Sequence, residues 1–393
     1  MLLSTALILT VGIVFGGICR KIHLPPLVGM IAGGILIGSY GLDLLDPSMQ
    51  AVSADIRRAA LIVILIRAGL KLNLSDLKKT GRPGVLMCFV PACFEILGMI
   101  LLAPIMLGMS HVEAAILGAV TGAVSPAVIV PRMIKLIDEK RGTDKAIPQM
   151  ILAGASVDDV FVIVMFTAFT GVIQGEKISA MSIASIPISL FTGIIIGILS
   201  GYILSVIYKR ISISPVIAVL IILSAGFALS AAENSFGKMI PFASMIAVMC
   251  MGIGVKRKAP QKAVVLSEKF GSIWSAAEIF LFVLVGACVS VDSLKNAGLR
   301  ALLLLLCVLA FRAAGVVLCL AFTKLNKREK LFCVIAYMPK ATVQAAIGGI
   351  PLAMGLACGE SVLAVSVLAI LLTAPLGALA IDMSYKKLLS EKR

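Results

Sequence analysis

The chain has 393 residues, of which 60% are hydrophobic and only 14% charged, and its formal net charge is +15. An ordinary globular domain is about 45–50% apolar and about 25% charged, so a string of water-soluble domains is excluded. The basic excess falls in short clusters between apolar runs, such as Lys78, Lys79 and Arg82 or Lys256, Arg257 and Lys258; with no aromatics interleaved, it points to anionic lipid headgroups and not to nucleic acid.

Thirteen transmembrane spans are expected. The first seven lie at about 2–18, 25–41, 56–71, 83–108, 111–135, 146–174 and 181–208; the rest lie at about 214–231, 239–254, 270–290, 298–322, 329–355 and 361–385. Such runs are long enough to cross roughly 30 Å of hydrocarbon. Loops after odd-numbered spans, with the C-terminal tail, hold 26 Lys and Arg against 6 after even-numbered spans. By the positive-inside rule the N-terminus faces outside and the C-terminus the cytoplasm. The first span lacks a basic n-region and an A-x-A site, so a retained helix is expected. The nine cysteines lie mostly in apolar runs without a CxxC pair and read as small core residues.

Taken along the chain, ionisable residues inside spans mark functional positions because burying them in a bilayer is costly. Arg67 and Glu278 lie near span ends and fit snorkelling or a structural ion pair. Span 4 carries Glu95. Span 5 contains Thr121 to Pro131, where Pro126 and Pro131 each remove a backbone donor, so the helix is expected to break near Val124–Ser125. Span 6 carries Asp158 and Asp159, which project about 100° apart on a helix. Two such carboxylates in low dielectric resist ionising together, so protons and small cations compete for them. Span 11 carries Arg312. Span 12, from Tyr337 to Pro351, is interrupted at Pro339 and followed at once by Lys340.

The features repeat seven spans apart, which is an odd step and inverts the second copy. Spans 4–6 and 11–13 therefore read as inverted repeats with two broken helices, where freed carbonyls and half-helix ends can hold ions. Glu95 and Arg312 take equivalent positions suited to a buried ion pair, and Lys340 is the expected counter-charge for Asp158 or Asp159. An intramembrane aspartyl protease is disfavoured, because its two aspartates must meet from different helices.

The Val-Asp-Asp-Val core, the Ser-Pro-Ala-Val-Ile-Val-Pro break and Met-Pro-Lys-Ala-Thr-Val-Gln-Ala-Ala-Ile-Gly resemble the cation/proton antiporter superfamily. The last two resemble its NHA-type sodium/proton exchangers in particular. The resemblance implies an all-α, NhaA-like fold of about 13 transmembrane helices. It also implies an ion-transport core at about 83–174 and 298–385 and a dimerisation scaffold at about 1–82 and 181–290. The implied activity is elevator-type exchange of Na+ (or Li+) for H+. Asp159 would be the direct ligand and proton carrier, with Asp158 beside it and Ser125 at the broken helix. No cofactor is expected beyond the transported ions, and the chain would be a transporter and not an enzyme. It would work as a homodimer in the lipid of a bacterial cytoplasmic membrane. The alternatives are a K+/H+ exchanger of the same superfamily and a sodium-coupled solute symporter.

Overall fold

Inside hydrocarbon a backbone must satisfy its own hydrogen bonds, so apolar runs of this length fold as helices. The computed structural model describes residues 1–22, 24–71, 74–173, 180–210, 214–236 and 242–391; the side chains of Lys78 and Lys79 lie outside the described residues. In chain order the helices are α1 (Leu2–Lys21), α2 (Pro26–Ile37), α3 (Pro47–Ala51), α4 (Ser53–Lys71), α5 (Leu74–Leu86), α6 (Val90–Leu107), α7 (His111–Thr121), α8 (Pro126–Asp138) and α9 (Ile147–Ile173). They continue as α10 (Ala180–Arg210), α11 (Pro215–Phe236), α12 (Ser244–Lys258), α13 (Pro260–Ala287), α14 (Val291–Cys319), α15 (Lys327–Ala336), α16 (Thr342–Ile347), α17 (Ile350–Ala353) and α18 (Gly359–Leu388).

Among the described residues, nine helical stretches are long and apolar enough to cross a membrane, and Pro26–Ile37 and Thr342–Ala353 are shorter apolar helices. The chain is an all-helical, multi-pass membrane protein. The helices α4 and α12 lie where the sequence reading expects two further spans, at 56–71 and 239–254.

The chain divides into two units, one formed by Met1–Ala54, Asn73–Ile173 and Ile279–Arg393, the other by Asp55–Leu72 and Gln174–Glu278. In the second unit α10 and α12 approach closely: a Cβ placed on Gly201 would stand 2.2 Å from the Met251 carbonyl oxygen. Small residues permit such approach where lipid supplies no hydrophobic drive between helices.

The first unit holds all the ionisable residues singled out in spans 4, 6, 11 and 12. Its α6 and α14 run antiparallel and lock reciprocally. Gly98 faces the Phe311 ring and Gly315 faces Phe94 and the Pro91 backbone, so Phe94-Glu95-x-x-Gly98 meets Phe311-Arg312-x-x-Gly315. Glu95 and Arg312 are carried to the middle of that crossing. Two interruptions lie beside it. The α7 helix stops at Thr121 and α8 starts at Pro126, whose missing N–H suits a first helical position. The α15 helix stops at Ala336 and α16 starts at Thr342. Pro131 lies within α8 and does not interrupt it, so the break in span 5 is made at Pro126 alone.

The reciprocal lock generates a stability prediction. A methyl group added at Gly315 would stand 2.9 Å from the Pro91 Cα, which is backbone, whereas Gly17 on α1 has open space around the same position. Gly315→Ala is expected to lower the thermal unfolding midpoint in detergent, at a cost of about 1–3 kcal/mol. Gly17→Ala is expected to leave it unchanged or raise it slightly, since alanine favours helix.

Candidate ion-binding site

The last carbonyls of a helix have no partner inside it and carry the negative end of the helix dipole. At both interruptions of the first unit these oxygens are taken by buried cationic or amide side chains. Lys340 Nζ donates to the Thr121 carbonyl at 2.5 Å, and Arg312 Nη1 donates to the Gly122 carbonyl. Gln344 Nε2 donates to Thr121 O at 3.2 Å and Ala123 O at 2.9 Å. At the other break Arg312 Nε donates to the Tyr337 carbonyl at 2.6 Å. The two unwound stretches meet directly, where the Ser125 amide donates to the Pro339 carbonyl at 2.7 Å.

Onto this crossing four fully buried charges are threaded. Glu95, Asp158, Arg312 and Lys340 each have 0% of their surface exposed. Arg312 is shared: Nη1 donates to Glu95 Oε2 at 2.9 Å and Nη2 to Asp158 Oδ2 at 3.0 Å. Lys340 Nζ sits 2.6 Å from Glu95 Oε1 and 2.8 Å from Oε2. Asp158 Oδ2 also accepts the Val124 amide at 2.9 Å, just before the start of α8. The chain of contacts is therefore Lys340–Glu95–Arg312–Asp158, two acids and two bases. The sequence reading placed Lys340 against the aspartates; the structure carries it to Glu95 instead, because its ammonium is anchored on the Thr121 carbonyl. The expected Glu95–Arg312 pair is present, but Arg312 is the residue that reaches the aspartate pair.

Asp159 adds one more acid beside this balanced set. Among the described residues, its Oδ1 is buried without a hydrogen-bond partner, and so are Asp158 Oδ1, Ser125 Oγ, Thr342 Oγ1 and Gln344 Oε1. Ser125 caps the start of α8 after the first break, and Thr342 is the first residue of α16 after the second. A buried oxygen left unpaired costs free energy. Oxygens from carboxylates, hydroxyls and amides are the ligands that hard alkali and alkaline-earth cations take.

Tyr337 was not singled out as a site residue from the sequence. Its hydroxyl donates to the Met87 carbonyl at 2.8 Å, and its ring centre lies 5.3 Å from the Arg312 guanidinium. The hydroxyl occupies the space that a side chain at Gly154 would need, one turn before Asp158. Ring, carbonyl and carboxylates together fix the guanidinium plane. A buried tyrosine inside an interrupted apolar run, opposite an intramembrane arginine, was the available signal.

Comparisons with known proteins identify the family and the fold. A family model described as "Sodium/hydrogen exchanger, transmembrane" matches residues 5–384. Sodium/hydrogen exchanger 9B2 of Mus musculus is 32% identical over 389 residues, which cover 92% of this chain and 68% of that protein. Sodium/hydrogen exchanger 9B1 of Homo sapiens is 31% identical over 387 residues, 93% and 73% of the two chains. Among solved structures, that of the sodium proton antiporter MjNhaP1 from Methanocaldococcus jannaschii shares the fold, with a TM-score of 0.84 at 20% identity over 98% of this chain and 97% of that one. The family model and these relatives define a secondary transporter of the cation/proton antiporter class, and not an enzyme. The chain belongs to the sodium/hydrogen exchanger family.

The order of the charges predicts which double substitution recovers stability. Glu95→Gln strands Lys340 and leaves Arg312 with one acid, a loss of about 3–5 kcal/mol by the cost of breaking a buried pair. Glu95→Gln with Lys340→Met leaves Arg312–Asp158 intact and is expected to recover part of that loss. Glu95→Gln with Arg312→Gln unpairs both Asp158 and Lys340 and is expected to recover less. Thermal unfolding of the purified variants, read as double-mutant cycles, orders the three.

Proposed function

We propose that the chain exchanges Na+ (or Li+) for H+ at Asp159, with Asp158 beside it and the Ser125 hydroxyl at the broken helix. The observation that carries this reading is the pair of buried, unpartnered oxygens Asp158 Oδ1 and Asp159 Oδ1 next to a set of charges already balanced. One surplus carboxylate in low dielectric holds either a proton or a cation, and a cation binds as the proton leaves. Exchange is then obligatory, because the same oxygens cannot carry both. Sodium is favoured over potassium by the names of the relatives 9B2 and 9B1, and direct exchange over solute symport by a site built only of small-ion ligands.

Around this site we read thirteen crossings, with the N-terminus outside and the C-terminus in the cytoplasm, on the strength of the 26-to-6 division of basic residues. The reciprocal Phe-x-x-x-Gly lock of α6 and α14 supports inverted repeats of an NhaA-like kind. Alternating access is of the elevator type: a core at about 83–174 and 298–385 carries the ion against a scaffold at about 1–82 and 181–290. The unit of function is a homodimer in the lipid of a bacterial cytoplasmic membrane, and no cofactor takes part beyond the transported ions.

Two measurements on reconstituted vesicles test the reading. Asp159→Asn is expected to abolish sodium-driven proton movement while insertion and folding persist, and Asp158→Asn to weaken it or shift its pH dependence. Normal flux in the Asp159→Asn protein would remove the assignment. Because proton and cation compete at one carboxylate, apparent cation affinity is expected to rise with pH and level off. An affinity that stays flat between about pH 5 and pH 9, a window that lies above the ordinary carboxylate range and spans that of histidine, would point to separate sites.

A further inference from the structure

Gln344 is fully buried at the first turn of α16, a helix that packs on both α7 and α9. Its amide can be oriented without ambiguity. The nitrogen faces two carbonyl oxygens, Thr121 O and Ala123 O, and a flipped amide would set oxygen against oxygen. The amide oxygen therefore points away from those two carbonyls, and among the described residues it is buried with no donor. The Thr121 carbonyl is already served by Lys340, so satisfying it does not require a glutamine. An apolar side chain of similar volume would take the donor from the Ala123 carbonyl, but it would also remove an amide oxygen that is itself buried without a donor among the described residues. A polar residue kept here at that cost has its oxygen available for something else.

Building on the exchange site proposed above, we propose that Gln344 is a specificity-determining residue: its locked amide oxygen supplies a neutral ligand to the transported alkali cation and sets the size of ion that is accepted. Neutral oxygens add to coordination without adding a competing proton acceptor, so they tune ion choice independently of the carboxylates. A smaller ion is filled by fewer oxygens. Removing one neutral ligand then penalises Na+ more than Li+.

The test compares Gln344→Met, which has nearly the same shape but neither amide group, with Gln344→Glu, which keeps an oxygen but loses the donor and adds charge. Apparent affinities for Li+, Na+ and K+ are read from proton movement in vesicles and from cation-dependent thermal stabilisation of the purified protein, a readout that needs no turnover. Gln344→Met is expected to weaken Na+ affinity by about tenfold, the scale of one lost ligand contact, and to shift the Li+ to Na+ preference toward Li+. Gln344→Glu is expected to bind cations more tightly and to show a steeper dependence on pH. If the ion preference of both variants matches that of the unchanged protein, or if both lose all cations in equal proportion, Gln344 only braces the α7 break and the inference is wrong. Asp159→Asn measured alongside separates the two levels. Exchange that survives it removes the site itself, whereas Asp159-dependent exchange with unaltered ion preference removes only the role of Gln344.

Discussion

Arg312 cannot be buried in a membrane protein unless its charge is balanced and its donors are engaged, and the way this is done ties together the segments of the first unit around it. Its guanidinium meets carboxylates from two helices, Glu95 on α6 and Asp158 on α9, and carbonyls from both interruptions, Gly122 and Tyr337. A single side chain thus connects four segments of the chain. The Phe94–Gly315 and Phe311–Gly98 contacts place it there, because only glycine lets α6 and α14 come close enough for Glu95 and Arg312 to meet at the crossing.

The interruptions have a matching logic. Breaking a helix inside hydrocarbon leaves carbonyls that lipid cannot satisfy. Lys340, Arg312 and Gln344 take them, so that the positive charges are spent on the negative ends of α7 and α15 as well as on acids. What remains beside this neutral assembly is oxygen: two carboxylates, two hydroxyls and an amide with bare acceptors. The polarity of the site follows from having used nearly all of its donors elsewhere. The proposed exchange and the proposed role of Gln344 both follow from that imbalance.

Much of the architecture was legible from residue order. The helical stretches fall where the apolar runs lie, and the break before Pro126 and the one at Pro339 stand where proline chemistry puts them. The Glu95–Arg312 pair, expected from reading spans 4 and 11 as counterparts, is present. Pro131 was given too much weight: five residues into α8, it is accommodated within the helix. Lys340 was matched with the wrong acid, because adjacency to a break said nothing about which carboxylate its flexible stem would reach. Gln344 and Tyr337 were visible in the motif but carried no charge to draw attention.

The sequence by itself therefore determined what is local: which segments are apolar and helical, which residues are too costly to bury without purpose, and where the backbone must open. These depend on hydrophobic run length and on proline, which act over a few residues. Only the tertiary structure decided the partners. Arg312 is shared between Glu95 and Asp158, Lys340 closes on Glu95, and the Gln344 amide has one possible orientation. Each of these contacts joins residues more than a hundred positions apart. Their pairing is set by how closely glycine-bearing helices pack, and that distance is fixed by packing in three dimensions, with no local pattern in the chain to signal it.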